Sequence, residues 1–184
     1  QITVDGDTST NDMVVVLANG KAGHQSLTPD HPEWNSFYEA LRLTCEDLAK
    51  QIARDGEGAT KLIEVNVSGA HTNEEANVIA KQIVGSNLVK TAMYGADANW
   101  GRIIWSVGYS GVALNPETVN VSLGNIQMLE NSQPVSFSEE EAKAYLENDT
   151  VEVYVDLQQG NGIGKAWGCD LTYDYVKINA SYRT

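Results

Sequence analysis

The chain has 184 residues, of which 42% are hydrophobic and 20% are charged, as is typical of a globular domain. We therefore expect residues 1–184 to form a single region. The formal net charge of −13 argues against nucleic acid or a membrane surface as a partner, because both are anionic and select basic protein surfaces. The sequence also has no apolar run near the roughly 20 residues that a membrane-spanning helix requires.

The first notable segment is "TVDGDTSTND", from Thr3 to Asp12, in which most side chains carry oxygen. It is followed by an apolar run, Met13 to Leu17, that predicts a short buried strand. Asp, Asn and Ser side chains often accept hydrogen bonds from nearby backbone N–H groups in turns. We therefore expect a hydrogen-bonded turn that borders a site and braces the strand after it.

The middle of the chain alternates helix and strand patterns. Pro32 to Arg54 predicts a helix with an apolar face formed by Phe37, Leu41, Cys45, Leu48 and Ile52. In the segment 61–67, "KLIEVNV", alternate residues are apolar, which is typical of a half-buried strand. The pairs Thr72/Glu75 and Ser138/Glu141 have the spacing of a capping box, so each predicts the start of a helix.

The last third of the chain favours strands. Apolar residues alternate over 119–123 and 151–157, and again over 166–178 in "AWGCDLTYDYVKI". Because the turn-like "QQGNGIGK" separates the last two segments, they are predicted to form a β-hairpin. Residues 99–111 fit helix and strand equally well. Together the patterns predict an α/β (α+β) fold with a mixed, partly antiparallel sheet and flanking helices.

Several familiar sites do not fit the sequence. A calcium loop starting at Asp5 would need Gly and an acid where Thr10 and Val16 stand. The "GNGIGK" of residues 160–165 lacks P-loop spacing. The three histidines, His24, His31 and His71, do not have the spacing of paired zinc ligands. Cys45 and Cys169 are predicted to be buried free thiols in a reducing compartment. We therefore expect no metal site.

Two alternatives remain open from the residues alone. "DGDTS" resembles the Asp-x-Asp-x-Thr loop of haloacid-dehalogenase phosphatases, so a magnesium-dependent phosphohydrolase using Asp5 and Asp7 is one of them. A later Gly-Asp-x-x-Asp metal motif is missing, which weakens this reading. A non-catalytic binding module is the other.

Four blocks of sequence resemble the β chain of the ArgJ family. They are "TVDGDTSTND", "RDGEGATK", "KTAMYGADANWGRI" and "GCDLTYDYVKINASYRT", and they occur in the family's order along the whole chain. The resemblance implies a DmpA/ArgJ-like fold and a bifunctional ornithine acetyltransferase / glutamate N-acetyltransferase of arginine biosynthesis. Such an enzyme transfers an acetyl group from N-acetylornithine to glutamate. It needs no cofactor, although some members also accept acetyl-CoA as donor.

The resemblance also implies a partner. Family members are made as one cytoplasmic precursor that cleaves itself before a threonine, giving α and β chains that remain together as an α2β2 heterotetramer. The new N-terminal Thr of the β chain is the nucleophile. Its Ala-Thr-Met-Leu-type stretch does not occur here, and Thr3 does not match it. We therefore expect a β chain without its first segment, which is inactive alone and contains no catalytic residue.

Three positions match the family's substrate-binding residues: Glu57 in "DGEGA", and Asn179 and Thr184 in "NASYRT". N-acetylornithine carries an ammonium group and a carboxylate. We expect the carboxylate of Glu57 to pair with the ammonium, aided by the chain-end carboxylate at Thr184.

Overall fold

The computed structural model describes residues 1–181, which form a mixed six-stranded sheet with helices on both faces. The helices are α1 (Trp34–Arg54), α2 (Asn73–Gly85), α3 (Asn87–Tyr94), α4 (Trp100–Gly108), α5 (Glu139–Leu146) and α6 (Tyr173–Ser181). The strands are β1 (Leu62–Ala70), β2 (Asn120–Leu123), β3 (Ile126–Glu130), β4 (Gln133–Pro134), β5 (Thr150–Asp156) and β6 (Gly162–Cys169). The predicted fold class is confirmed. None of the helices among these residues is both long and apolar enough to span a membrane.

The sheet has the strand order β4-β3-β2-β5-β1-β6. Strand β1 runs parallel to β5 and antiparallel to β6, so it separates the two strands that were predicted to pair as a hairpin. That prediction was wrong because the connection crosses over the end of β1. Gly160 and Gly162 allow this crossing, since a Cβ at either position would lie 2.3 Å from a backbone oxygen, that of Ala70 or that of Thr72.

The main core lies between the sheet and α2, α3 and α4. Ile63, Val65 and Val67 of β1 point into it, as their alternation predicts. Both capping predictions are confirmed, because Thr72 accepts a hydrogen bond from the Glu75 N–H and Ser138 accepts one from the Glu141 N–H. The ambiguous segment 99–111 contains helix α4, and the side chain of Asn99 caps that helix.

Three local predictions were wrong. Met13 to Leu17 forms no strand, and its side chains are 62–92% exposed. Helix α1 forms as predicted, but its apolar face, including Cys45, is exposed within residues 1–181, whereas Cys169 is buried as predicted. The helical spacing of apolar residues therefore predicted α1 correctly, but it could not show which other surface covers the apolar face of that helix. Residues 173–178 form part of helix α6 instead of a strand, since the side chain of Thr172 caps the first turn.

Candidate functional site

The loop after α1 places Glu57 at the surface, beside the start of α6. The loop is closed by a hydrogen bond from the Ala59 N–H to the Gly56 carbonyl (2.9 Å). Gly58 has a φ of +66°, and a Cβ there would lie 2.7 Å from the backbone nitrogen of Tyr175. Only glycine fits both this conformation and this close approach. Glu57 itself is exposed, so its carboxylate is available to a ligand.

Thr172 joins this loop to α6. Its hydroxyl donates to the Gly58 carbonyl (2.7 Å) and accepts the Tyr175 N–H (3.2 Å). The residue is 5% exposed, so water competes little for these bonds. One hydroxyl therefore caps the helix and fixes the backbone of the residue after Glu57.

Asp170 holds the other side of the loop. This carboxylate is 3% exposed and accepts hydrogen bonds from the Thr60 N–H (2.8 Å), the Lys61 N–H (3.0 Å) and the Thr60 hydroxyl (2.5 Å). These bonds satisfy a buried charge. They also fix residues 60–61, where the loop enters β1.

The oxygen-rich segment reaches the same place. Residues 1–3 run along β6 through a bridge between Ile2 and Trp167, and Asp5 then accepts a hydrogen bond from the hydroxyl of Tyr175 on α6 (3.0 Å). The other carboxylate oxygen of Asp5 accepts the Asp7 N–H (2.9 Å). The predicted hydrogen-bonded turn is therefore present, although the strand that it was expected to brace is not.

Acidic groups surround the hydroxyl of Tyr175. Its pKa is raised first by burial, then by the hydrogen bond to Asp5 and by the negative charges of Asp5, Glu57 and Asp7. The hydroxyl therefore stays protonated at neutral pH and remains a donor. The same charges make this part of the surface suitable for a cationic group.

Asn179 lies on α6, one helical turn after Tyr175, and its side-chain amide donates to the Tyr175 carbonyl (3.0 Å). It is exposed. Thr184 lies outside the described residues. The structure thus brings Glu57 to the N-terminal end of the helix that carries Asn179.

Lys90 lies beneath the loop and was not predicted from the sequence. It is 1% exposed, its ammonium donates to the Val4 carbonyl, and it lies 3.7 Å from the sulfur of Cys169. Burial raises the pKa of the Cys169 thiol, and the charge of Lys90 offsets only part of that effect. Cys169 is therefore a protonated packing residue against Gly56.

The phosphohydrolase alternative finds no support in this geometry. Both carboxylate oxygens of Asp5 already accept hydrogen bonds, and no buried strand flanks the segment within residues 1–181. In that part of the chain, no three His, Cys, Asp or Glu residues are grouped so as to hold a metal ion.

Comparisons with known proteins agree with the resemblance. The family model of the ArgJ family matches residues 1–184. The arginine biosynthesis bifunctional protein ArgJ of Geobacillus stearothermophilus is 73% identical, and that of Bacillus subtilis (strain 168) is 64% identical. Each match covers all of this chain and 45% of the relative, so the chain spans less than half the length of these curated relatives.

A solved structure supports the same assignment. The crystal structure of the arginine biosynthesis bifunctional protein ArgJ from Bacillus halodurans is 68% identical and superposes with a TM-score of 0.95. The match covers 98% of this chain and 85% of that one. The chain belongs to the ArgJ family.

Proposed function

We propose that this chain is the β chain of an ornithine acetyltransferase / glutamate N-acetyltransferase, which transfers an acetyl group from N-acetylornithine to glutamate in arginine biosynthesis. Its partner is the α chain of the same autocatalytically cleaved precursor, in a cytoplasmic α2β2 heterotetramer. The family match and the name shared by the relatives, arginine biosynthesis bifunctional protein, support this proposal.

One structural observation carries the proposal furthest. Three of the four blocks that resemble the family are distant in sequence, yet they meet around Tyr175: Asp5 from the first, Gly58 from the second, and α6 from the last. The exposed carboxylate of Glu57 lies at this meeting point. It is suited to bind the side-chain ammonium of N-acetylornithine by a charge-assisted hydrogen bond.

The chemistry then divides between this chain and residues outside it. The nucleophilic threonine comes from outside residues 1–184, and its own α-amine serves as base. The hydroxyl attacks the acetyl carbonyl, the C–N bond breaks, and ornithine leaves with the proton. Glutamate then attacks the acetyl ester through its neutral amine and releases the threonine hydroxyl. The substrates are bound and oriented by Glu57, Asn179 and Thr184. The proposed reaction uses no cofactor. Acetyl-CoA is proposed as an additional acetyl donor.

The test is acetyl transfer by this chain assembled with its α chain and the segment that carries the nucleophile. With N-acetylornithine labelled in the acetyl group, we expect label on glutamate and one acetyl group on the β chain when glutamate is left out. An assembled complex that transfers no acetyl group would refute the proposal. Magnesium-dependent phosphate release that is lost on Asp5→Asn would favour the phosphohydrolase instead.

A further inference from the structure

The hydroxyls of Thr172 and Tyr175 connect the loop that carries Glu57 to the helix that carries Asn179. The Thr172 hydroxyl bridges the Gly58 carbonyl and the first turn of α6. The Tyr175 hydroxyl, three residues later, binds the carboxylate of Asp5. Neither hydroxyl belongs to a residue matched to the family's substrate-binding positions.

Few other contacts hold α6 in place. None of its residues is buried within the described chain, and Tyr173 meets Tyr94 of α3 edge-on with ring centroids 5.8 Å apart, so apolar packing contributes little to its position. Its first turn is fixed instead by polar bonds and by the close approach of Gly58, whose positive φ brings the loop backbone against Asp174 and Tyr175. We therefore expect a change in these bonds to alter the placement of the helix relative to Glu57 and to leave the sheet intact.

We propose that Thr172 and Tyr175 are positioning residues, which hold Glu57 and Asn179 at the separation that N-acetylornithine requires. This inference rests on the proposed function. The two residues act through Glu57 and Asn179 without touching the reacting atoms. Their effect should therefore appear in the binding of the substrate that carries the ammonium, and hardly at all in the chemical step.

The experiment is a double-mutant cycle in the assembled enzyme with Thr172→Val, Glu57→Gln and both together. Thr172→Val removes the hydroxyl at nearly constant shape. We expect it to raise the KM for N-acetylornithine by about tenfold, because the bonds to the Gly58 carbonyl and the Tyr175 N–H are both lost, with kcat changed less than about twofold. Thr172→Ser retains the hydroxyl and should restore the KM. In the Glu57→Gln background, Thr172→Val should have almost no further effect.

Tyr175→Phe supplies an independent second variant should Thr172→Val fail to assemble. It should raise the same KM, and its effect should likewise vanish with Glu57→Gln. Tyr173→Phe is the matched control, because that ring lies on the same helix and is 81% exposed.

Each outcome decides the question. An unchanged KM in Thr172→Val or Tyr175→Phe, or effects that add fully to that of Glu57→Gln, would overturn the positioning role and leave the acetyltransferase function standing. An unmutated complex without acetyl transfer would overturn the proposed function, and this inference with it.

Discussion

At the scale of single residues, Asp170 fixes the backbone where the loop after α1 enters β1. Its buried carboxylate accepts three hydrogen bonds from residues 60 and 61. Asp170→Asn keeps one oxygen that can accept the two backbone N–H groups but removes the negative charge, so the bonds to Thr60 and Lys61 are no longer charge-assisted. We expect the free energy of unfolding to fall by about 1–3 kcal/mol, measured by urea denaturation.

Asp149→Asn is the matched control for Asp170→Asn, because the Asp149 side chain is 85% exposed and its carboxylate forms only a surface ion pair, 3.5 Å from the guanidinium of Arg54. Its unfolding midpoint should stay close to that of the wild type. Equal losses in the two variants would contradict the role given to Asp170.

Sequence analysis identified some of the residues around the site and missed others. Glu57 and Asn179 were identified by resemblance, and the structure places them on neighbouring elements. Asp170 and Thr172 were missed because their partners, Thr60 and Gly58, are more than 100 residues away in sequence. Hydrogen bonds between such distant residues leave no periodic pattern. Thr172 is a residue type that often caps helices, but the alternating apolar pattern of residues 166–178 favoured a strand there.

At the scale of elements, the contact between α2 and β6 depends on glycine. A Cβ at Gly164 would lie 2.4 Å from the backbone nitrogen of Asn77, and a backbone atom cannot move away as a flexible side chain can. We expect Gly164→Ala to lower the free energy of unfolding by about 1–3 kcal/mol in urea denaturation.

Gly108→Ala is the control for Gly164→Ala, since a Cβ at Gly108 meets no atom within 4 Å. That change should leave stability unaltered or slightly raised, because alanine favours a helix. A Gly164→Ala protein as stable as the wild type would show that α2 can shift away from β6 freely.

Glu64 of β1 links the sheet to α1, and its ionisation should make the stability of the fold depend on pH. Burial raises the pKa of Glu64, but hydrogen bonds from Trp167 and Lys165 and the charges of Lys165 and Lys50 outweigh it, so the pKa lies below its ordinary value of 4.5. The folded state thus favours the carboxylate. The resulting stabilisation is present above the ordinary pKa and is lost as the pH falls through the lowered one.

Glu64→Gln should therefore destabilise the protein clearly at pH 7, and the difference from the wild type should shrink as the pH falls through the lowered pKa of Glu64. Urea midpoints measured across this range test the expectation, with Glu130→Gln, an exposed carboxylate, as control. A difference between wild type and Glu64→Gln that stays constant with pH would show that the charge of Glu64 does not stabilise the fold.

Element types were easier to predict than element neighbours. Alternation identified β1, β2 and β5, because the alternating apolar residues of each strand face the main core. Alternation does not reveal which strand lies alongside, and so β5 and β6 were wrongly paired. The close approaches of Gly160 and Gly162, which send the chain over β1, depend on atoms of Ala70 and Thr72 that are distant in sequence.

At the scale of the whole molecule, two apolar surfaces are exposed within residues 1–181. One is the extended run Met13 to Leu17, and the other is the apolar face of α1, where Phe37, Leu41, Leu48 and Ile52 are 43–52% exposed. Contiguous apolar surface of this kind marks protein interfaces. Sequence analysis predicted Met13 to Leu17 and Cys45 of α1 to be buried, which is consistent with the proposed α chain as the covering partner.

This proposal predicts that the chain alone binds a hydrophobic dye whose fluorescence increases in apolar surroundings, and that assembly with the α chain abolishes most of that signal. Leu41→Glu on α1 should weaken assembly, whereas Leu43→Glu, on the opposite side of the helix and 51% exposed, should not. Equal dye binding before and after assembly would contradict the proposed position of the α chain.

The most direct measurement compares two substrates in the assembled enzyme. N-acetylnorvaline has the carbon chain of N-acetylornithine without the ammonium, so the ratio of their kcat/KM values reports recognition of that charge. We predict that the wild type strongly prefers N-acetylornithine and that Glu57→Gln loses most of this preference, while Asp55→Asn, two residues earlier, keeps it. A preference unchanged by Glu57→Gln would contradict the assignment of Glu57 as the ammonium-binding residue.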